Sequence, residues 1–421
     1  MSESLKMKIS DFDYDLPTEL IAQTPIEPRD ASRLLVVNRT RGTREHHHFR
    51  DLGAYLRSGD LLIANQSRVL PARLLGRRAE TGGAVEILLL TERPDLGPDC
   101  WETLVRPGRR LHEGARIEFG NETEGVRLQA EILQRTEAGG RIVQFTIPGQ
   151  ETSLSSADPG ACHFSATLQP LPTGAMELGP YPPQTGAMEL GPYTRAINCS
   201  TQKNELHSID PYSVLTVRQR IDEIGRMPLP PYIHETLDDP ERYQTVYARI
   251  RGSAAAPTAG LHFTPQLLDQ LRLQGIRVGF VTLHVGLDTF RPVECEDVSE
   301  HKMHSEEIEL DTPTAELINE TRKAGGRIVA VGTTSVRVLE GIASMHDGRI
   351  VPYHGHTRLF ITPGYHFHAV DAMITNFHLP RSTLLLLVSA FMGKELMEQA
   401  YQEAIREQYR FFSFGDAMLL L

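Results

Sequence analysis

The chain has 421 residues, of which 40% are hydrophobic and 23% charged, and its formal net charge is −11. This balance is ordinary for a globular protein, and it excludes a chain coated with basic residues for binding nucleic acid, although a local basic face is not excluded. The longest apolar stretch, Leu384–Met392, is too short to cross a bilayer. The four cysteines lack CxxC spacing and the first residues lack an apolar signal-peptide core, so we expect a cytoplasmic protein that does not bind membranes.

The sequence changes character at about residue 68. Residues 1–67 contain two short apolar segments typical of buried strands, Leu34–Val37 and Leu61–Ala64, and they are predicted to begin a large α/β domain. Residues 68–149 consist of short strand-like segments separated by glycine and proline, without helical periodicity. This pattern predicts a small β-barrel inserted into the larger domain.

Residues 150–216 differ from both flanking regions. Thr173–Tyr181 recurs without change as Thr185–Tyr193, in surroundings rich in Ser, Pro and Gly. Two copies are too few for a solenoid, which requires at least three stacked units. We therefore predict a low-complexity insert that is disordered or extended.

Residues 217–421 alternate between apolar strand-like segments and helical segments. Apolar strands without polar alternation are typical of a parallel sheet covered by helices, open or closed into a barrel. This part is predicted to complete the large domain, and the fold class is α/β with a barrel-like large domain. The strands are expected at Val278–His284, Ile328–Val331 and Ala369–Asn376, and the helices at Thr314–Ala324, Ser335–Met345 and Leu384–Gln408.

The loops at the ends of these strands share their chemistry. Ligand sites of α/β folds lie at the carboxyl ends of the strands, so we predict that these loops converge on one site. Pro257 and Gly260 keep the first loop irregular, so that Pro257, Thr258, Ala259 and Gly260 can form a rim for a ligand. The four loops are Ala256–Thr264, His284–Gly286, Gly332–Arg337 and Thr375–Thr383.

Three of the loops carry a histidine. Because imidazole titrates near neutral pH, His262, His284 and His378 are candidates for moving protons. The segment His301–Glu306 has the spacing of two zinc ligands, but no further ligands stand at recognisable spacing, so no metal is expected. The segment Arg410–Met418 could stack a base, although packing in the core is favoured for two of its three phenylalanines.

The loop Gly332–Arg337 leads from a strand into a helix. The free N–H groups and the hydroxyls of Gly332, Thr333, Thr334 and Ser335 predict a receptor for an anion or carboxylate, to which Arg337 could add a bidentate contact. Helix capping would explain Thr334 or Ser335 equally well. The loop is not a P-loop, and no GxGxxG follows a strand, so neither type of nucleotide site is indicated.

A series of segments that covers most of residues 8–150 and 220–421 carries a family resemblance. They are Phe12–Pro17, Leu20–Gln23, Asp60–Asn65, Arg68–Leu74, Gly225–Ile233, Tyr243–Tyr247, Ala255–Phe263, Val281–Gly286, His301–Glu306, Ala330–Arg337, Thr375–Thr383 and Tyr409–Met418. Through these segments the chain resembles the S-adenosylmethionine:tRNA ribosyltransferase-isomerase family of queuosine biosynthesis.

The resemblance implies an unusual use of S-adenosylmethionine, whose ribosyl group is transferred instead of its methyl group. The acceptor would be the aminomethyl group of a 7-deazaguanine base (preQ1) at the wobble position of tRNA. The product would be epoxyqueuosine, with adenine and methionine released. The family fold implies a large barrel-like α/β domain with a smaller inserted β-barrel. We expect S-adenosylmethionine as a substrate, tRNA as the partner, no prosthetic group or metal, and a monomer.

The resemblance also implies roles for the candidate residues. The reaction requires a base for the acidic C5′ proton, protonation of the leaving adenine and a hydroxyl that closes the epoxide. Among His262, His284 and His378 the assignment of proton transfer stays open. The other expected contacts are the methionine carboxylate with Gly332–Ser335 and Arg337, ribose hydroxyls or the deazaguanine edge with Asn376, Ser382 and Thr383, and tRNA phosphates with Arg68 and Arg73.

Two other functions compete with this interpretation. A methyltransferase would use the same substrate, but the missing glycine-rich nucleotide loop weighs against it. A non-catalytic tRNA-binding protein would use the histidine-bearing loops only as structure. Product analysis separates the first alternative, and histidine substitutions separate the second.

Overall fold

The fold is described by a computed structural model covering residues 7–121, 125–136, 139–149, 215–286, 295–303 and 305–421. The duplicated segment, and all but the end of the predicted insert 150–216, lie outside the described residues. The barrel and the large sheet described below belong to one compact unit. The domain boundaries inferred from the sequence stay a prediction.

Strands and helices alternate mainly in the second half of the chain. The strands are β1 (Arg33–Asn38), β2 (Thr43–His48), β3 (Leu61–Asn65), β4 (Ser67–Val69), β5 (Arg73–Arg78), β6 (Ala84–Glu92), β7 (Cys100–Arg106), β8 (Arg116–Asn121), β9 (Gly125–Arg135), β10 (Arg141–Thr146), β11 (Ile250–Ser253), β12 (Arg277–Leu283), β13 (Glu306–Leu310), β14 (Ile328–Val331), β15 (Tyr353–Thr357), β16 (Ala372–Asn376) and β17 (Ala417–Leu420). The α-helices are α1 (Val217–Ile224), α2 (Pro265–Leu273), α3 (Thr312–Lys323), α4 (Thr333–Met345), α5 (Thr383–Met392) and α6 (Lys394–Arg406).

A nine-stranded mixed sheet forms the centre of the large part of the fold. Its order is β15-β13-β12-β3-β14-β16-β17-β1-β2, and the central run β12-β3-β14-β16 is parallel throughout. The carboxyl ends of these central strands therefore lie at one edge, as the sequence predicted. The large sheet is open, with β15 and β2 at its edges, so the barrel-like description applies to the smaller sheet and not to the larger one.

The central strands are buried on both faces because their side chains alternate between two apolar layers. Leu61 and Ile63 of β3 pack in the layer formed by α3 to α6, whereas Leu62 and Ala64 pack on the other side against α2. Strand β14 repeats this arrangement, with all its side chains buried. The continuous apolar runs of the sequence thus become a sheet that holds its loops in fixed positions.

Strands β5 to β10 close into a barrel in the order β10-β7-β6-β5-β8-β9. Its interior is filled by side chains that include Leu74, Ile87, Phe119 and Phe145, and α1 contributes Ile221 to the same cluster. The prediction of an α/β fold with a smaller β-barrel is confirmed. A parallel pair of short strands, β4 and β11, lies outside the barrel, and β4 directly precedes the first barrel strand, β5, in the chain.

The prediction of one continuous helix over Leu384–Gln408 is wrong. The structure has two helices, α5 and α6, which meet at Gly393 with φ of +87°. This left-handed backbone conformation ends the first helix and begins the second, and it favours glycine. Apolar residues continue on both sides of the break, so the hydrophobic pattern alone did not reveal it. None of the helices in the described ranges is long and apolar enough to cross a membrane.

Candidate functional site

A cavity of about 360 Å³ lies at the carboxyl edge of the parallel strands. All four predicted loops contribute to its wall, together with residues from two further segments of the chain. The predicted residues that line it are Pro257, Thr258, Ala259, Gly332, Thr333, Thr334, Asn376, His378 and Ser382. The predicted residues that do not line it are Gly260, His262, His284, Ser335, Arg337, Thr383, Arg68 and Arg73.

One wall of the cavity is the beginning of helix α4. Gly332 precedes this helix with φ of +85°, and no side chain of the described residues caps the first peptide N–H groups. Within the described part of the chain, the buried Oγ1 atom of Thr334 has no hydrogen-bond partner. Ser335 is turned inward instead, and its hydroxyl donates to the carbonyl oxygen of Val331 over 2.8 Å. The helix therefore offers free N–H donors to the cavity, and the dipole of the helix favours a negative group there.

His378 lies on the wall formed by the loop after β16. Its Nε2 atom forms a hydrogen bond with the hydroxyl of Thr375 over 2.7 Å. Its main chain is held at both ends, because its peptide N–H donates to the hydroxyl of Tyr401 and its carbonyl oxygen accepts from the hydroxyl of Tyr14. Burial lowers the pKa of His378 to about 3, so the ring is neutral at physiological pH.

Ser382 and Thr383 begin helix α5 at the edge of the cavity. The Ser382 hydroxyl accepts from the peptide N–H of Leu385 and donates to the carbonyl oxygen of Leu379 over 2.8 Å. Ser382 is therefore the N-cap of the helix, and its hydrogen is already used within the protein. Thr383 is the first residue of the helix and does not reach the cavity wall.

His262 lies behind the wall, in the core. Its Nδ1 atom is 2.8 Å from the hydroxyl of Ser32, and its Nε2 atom is 3.2 Å from Nδ2 of Asn376. The ring stacks on Phe49 with centroids 5.0 Å apart. Burial, together with the charges of Arg410 and Arg29, lowers the pKa of His262 to about 3. Its contact with the cavity is indirect and passes through Asn376.

His284 lines a second cavity of about 550 Å³, which shares Val285 with the first. The Nδ1 atom of His284 is buried and has no hydrogen-bond partner among the residues that the structure describes. Burial lowers the pKa of His284, and the charges of Glu307 and Glu309 oppose this shift. Of the three predicted histidines, His284 therefore faces the second cavity instead of the first.

Arg337 is buried and lines neither cavity, although its partner Glu306 lines the second one. Its guanidinium forms an ion pair with Glu306 of β13, and both side chains are almost inaccessible to solvent. Burial lowers the pKa of Arg337, and Glu306 opposes this shift. In the described ranges no three His, Cys, Asp or Glu side chains are grouped as metal ligands, and His304 lies outside those ranges.

Arg68 and Arg73 lie in a groove of about 1270 Å³ beside the barrel. Arg68 forms an ion pair with Glu241, and Arg73 forms one with Glu86 over 2.9 Å between Nε and Oε1. Both arginine side chains are partly exposed. Three further arginines line the same groove, namely Arg106, Arg226 and Arg251.

Several residues of the cavity wall were not selected from the sequence. Arg381 and Phe412 have left-handed backbone conformations, with φ of +56° and +69°, which are strained for residues other than glycine and concentrate at functional sites. Phe412 also contacts the ring of Tyr232 at 4.9 Å between centroids. The aromatic C-terminal segment was the available signal, and all three of its phenylalanines are buried in apolar clusters, Phe411 and Phe412 in one and Phe414 in another, so core packing goes further than the two phenylalanines predicted.

Comparisons with known proteins match nearly the whole chain to one family. The family model described as "Queuosine biosynthesis protein" matches residues 9–193 and 193–420. A curated S-adenosylmethionine:tRNA ribosyltransferase-isomerase from Symbiobacterium thermophilum is 50% identical over 415 residues, covering 99% of this chain and 100% of the relative. Its counterpart from Heliobacterium modesticaldum is 46% identical over 417 residues, with the same coverage. The crystal structure of S-adenosylmethionine tRNA ribosyltransferase from Thermotoga maritima is 35% identical, covers 98% of this chain and 100% of that one, and has a TM-score of 0.47.

Proposed function

Because this chain belongs to the queuosine biosynthesis protein family, we propose that it acts as an S-adenosylmethionine:tRNA ribosyltransferase-isomerase. In this reaction the ribosyl group of S-adenosylmethionine is transferred to preQ1 at the wobble position of tRNA and isomerised. The product is epoxyqueuosine in tRNA, with adenine and methionine released. The observation that carries the proposal is the match over 99% of the chain to relatives with this activity.

The cavity at the strand ends is the proposed site for S-adenosylmethionine. Its volume is in the range of small-molecule sites. The methionine carboxylate would accept hydrogen bonds from the N–H groups of Thr333 and Thr334, where the helix dipole favours a negative charge, whereas the N–H of Gly332 already donates to the carbonyl oxygen of Ile374. Pro257–Ala259 would form the facing rim, and Asn376 would contact the nucleoside part. Arg337 is assigned no contact with S-adenosylmethionine, because its guanidinium pairs with Glu306 and neither residue lines this cavity.

Proton transfer is assigned to His378, because it is the one predicted histidine that lines this cavity. The sulfonium makes the C5′ hydrogens acidic, and a neutral imidazole can accept one of them through its free nitrogen. In the described ranges Nδ1 of His378 has no hydrogen-bond partner, since only Nε2 bonds to Thr375. The imidazolium that results can return the proton to adenine as the glycosidic bond breaks.

The groove beside the barrel is the proposed site for tRNA. Arg68 and Arg73 lie along it and would contact phosphates, exchanging their present carboxylate partners for the nucleic acid. The phosphate contacts would make binding weaker as the salt concentration rises. Because tRNA is a cytoplasmic substrate, we place the enzyme in the cytoplasm, and we expect a monomer by light scattering.

The products released with tRNA carrying preQ1 test this function. We expect adenine and methionine in equal amounts, with a mass increase of the tRNA that corresponds to the transferred ribosyl group. Chromatography of the small molecules and mass spectrometry of the digested tRNA measure both. Release of S-adenosylhomocysteine instead would establish the methyltransferase alternative and refute the proposal.

Replacing Gly332 with alanine tests the carboxylate site. The φ of +85° makes alanine strained by about 1 kcal/mol, although no neighbour is closer than 3.5 Å to the new methyl group. We expect this loss of stability together with a roughly five-fold rise in KM for S-adenosylmethionine, because the first N–H groups of α4 move. The matched control is Gly325→Ala, which has φ of +77° and open space around it, away from the cavity. Equal KM values for the two variants would contradict the assignment.

A further inference from the structure

A chain of hydrogen bonds runs from the core to the cavity wall through Ser32, His262, Asn376 and Thr258. The direction of each bond can be derived from one fixed point. The carbonyl oxygen of Phe412 can only accept, and the amide of Asn376 lies 3.0 Å from it. The atom at this distance must therefore be the donor Nδ2, which fixes the orientation of the whole Asn376 amide.

The orientation of Asn376 fixes the tautomer of His262. The second hydrogen on Nδ2 points to Nε2 of His262, 3.2 Å away, so Nε2 must accept. In a neutral imidazole the hydrogen is then on Nδ1, which donates to the hydroxyl oxygen of Ser32 over 2.8 Å. Both hydrogens of the Asn376 amide are consequently used inside the protein, and neither is available to a ligand.

The cavity side of the same chain contains only acceptors. Oδ1 of Asn376 accepts from the hydroxyl of Thr258 over 3.3 Å. Since this uses the single hydrogen of that hydroxyl, Oγ1 of Thr258 can only accept from a ligand. Both residues line the cavity. This part of the wall therefore matches a substrate group that donates hydrogen bonds and rejects one that can only accept.

We propose that His262 is a positioning residue that holds Asn376 and Thr258 as acceptors, and that this pair selects a hydrogen-bond donor on the nucleoside part of the substrate. The inference rests on the proposed function, which supplies S-adenosylmethionine as the ligand. Two kinds of group in the nucleoside part of that molecule have the required chemistry, namely the exocyclic amine of adenine and the hydroxyls of the ribose. In this arrangement His262 transfers no proton during the reaction.

Analogue competition in the wild-type enzyme identifies the recognised donor. Inhibition constants against S-adenosylmethionine are measured with saturating preQ1-containing tRNA, using the inosine analogue, which has a carbonyl in place of the amine, and the 2′-deoxy and 3′-deoxy analogues. An unpaired buried acceptor costs enough to weaken binding about ten-fold or more. We expect one of these three analogues to bind at least about ten-fold more weakly than the parent compound. Equal inhibition by all three would overturn the proposal.

Variants of the buried chain test whether His262 sets this selectivity. In His262→Leu one amide hydrogen of Asn376 loses its acceptor, and only the bond to the carbonyl oxygen of Phe412 still opposes rotation of the amide, so the orientation that offers a donor to the cavity becomes more populated. We expect the discrimination ratio, which is the inhibition constant of the weakest analogue divided by that of the parent compound, to fall below about three-fold. Ser32→Ala removes the hydrogen-bond acceptor of Nδ1 of His262, so the tautomer of His262 is no longer fixed, and the ratio should fall as in His262→Leu. This second variant keeps the test available if His262→Leu does not fold. The matched control is Ser389→Ala, another buried serine, whose hydroxyl has no hydrogen-bond partner in the described ranges, and the ratio should stay unchanged.

His262→Gln separates positioning from proton transfer. Glutamine can place an acceptor near the position of Nε2, but it cannot take up a proton. We expect the analogue ratio to persist, kcat to stay within a few-fold of wild type, and the pH profile of kcat to keep its shape. A loss of kcat by two orders of magnitude with a changed pH profile would show that His262 moves a proton. If the wild-type protein releases no adenine, the proposed function itself is contradicted. If turnover is normal and the discrimination ratio is unchanged in folded His262→Leu and Ser32→Ala, only this inference is contradicted.

Discussion

Replacing His378 with alanine is expected to lower kcat for adenine release by about 10²- to 10⁴-fold, with KM for S-adenosylmethionine changed only a few-fold. The reason is that the ring lies on the cavity wall, with Nε2 held by Thr375 and the other nitrogen free to take up a proton. Because burial lowers the pKa of His378 to about 3, the base form is fully populated above about pH 5. Protonation of His378 should therefore cause no loss of activity between pH 5.5 and pH 7.

The controls for this experiment use two other histidines. His366 is exposed on the surface, and His366→Ala should leave both kinetic constants as in the wild type. His284 faces the second cavity, and His284→Ala should reduce kcat less than His378→Ala does. If His378→Ala kept more than a tenth of the wild-type kcat, the assignment would be wrong. If all three predicted histidines could be replaced with full turnover, none of these loops would carry proton transfer.

The position of the cavity could be predicted from the sequence because parallel strands place their carboxyl ends at one edge. The loops after β14 and β16 follow fully buried apolar strands, so the predictions for Gly332 and Asn376 depended only on recognising those strands. Hydrophobic runs and glycine-containing loops are local signals, and local signals are what a single sequence carries most clearly.

The orientation of individual side chains could not be predicted in the same way. His262 and Thr258 belong to one 3-10 turn, Thr258–His262, in which residues three apart share a face. Being four residues apart, they point in different directions, and only the packing of Phe49 against His262 shows which one faces the core. For an irregular loop the sequence contains no periodicity that distinguishes the two sides.

Arg337 illustrates a second limit, which concerns partners distant in sequence. Its place one turn into α4 suggested a contact with a ligand carboxylate. The structure instead pairs it with Glu306 of β13, a residue in a strand on the far side of β12 from β3. A buried guanidinium requires a charged partner, but the identity of that partner follows from the order of strands in the sheet. This order includes β17, the last strand of the chain, beside β1, the first.

Acidification from pH 7 to pH 5 is expected to destabilise the protein through its two fully buried histidines. The pKa of His262 and that of His378 fall from 6.5 to about 3 on folding, mainly because burial disfavours the charged ring. Between these values the unfolded chain binds a proton that the folded protein does not. Their contribution is therefore complete above about pH 6.5 and is lost as the pH falls towards 3. At pH 5 the loss is about 2 kcal/mol for each histidine.

The variant His262→Gln isolates one of these two contributions. Its free energy of unfolding should fall by about 2 kcal/mol less than that of the wild type between pH 7 and pH 5, measured by denaturant titration at both values. Asp60, whose pKa is lowered by its hydrogen bonds to Arg327 and Arg57 despite the opposing effect of burial, loses its contribution only at lower pH. The lowered pKa of His284 acts in the same direction as the other histidines, but it is common to both proteins and cancels in the difference. Equal pH slopes for wild type and His262→Gln would mean that the folded protein accommodates a charged His262, and the neutral tautomer on which the acceptor wall depends would then not be fixed.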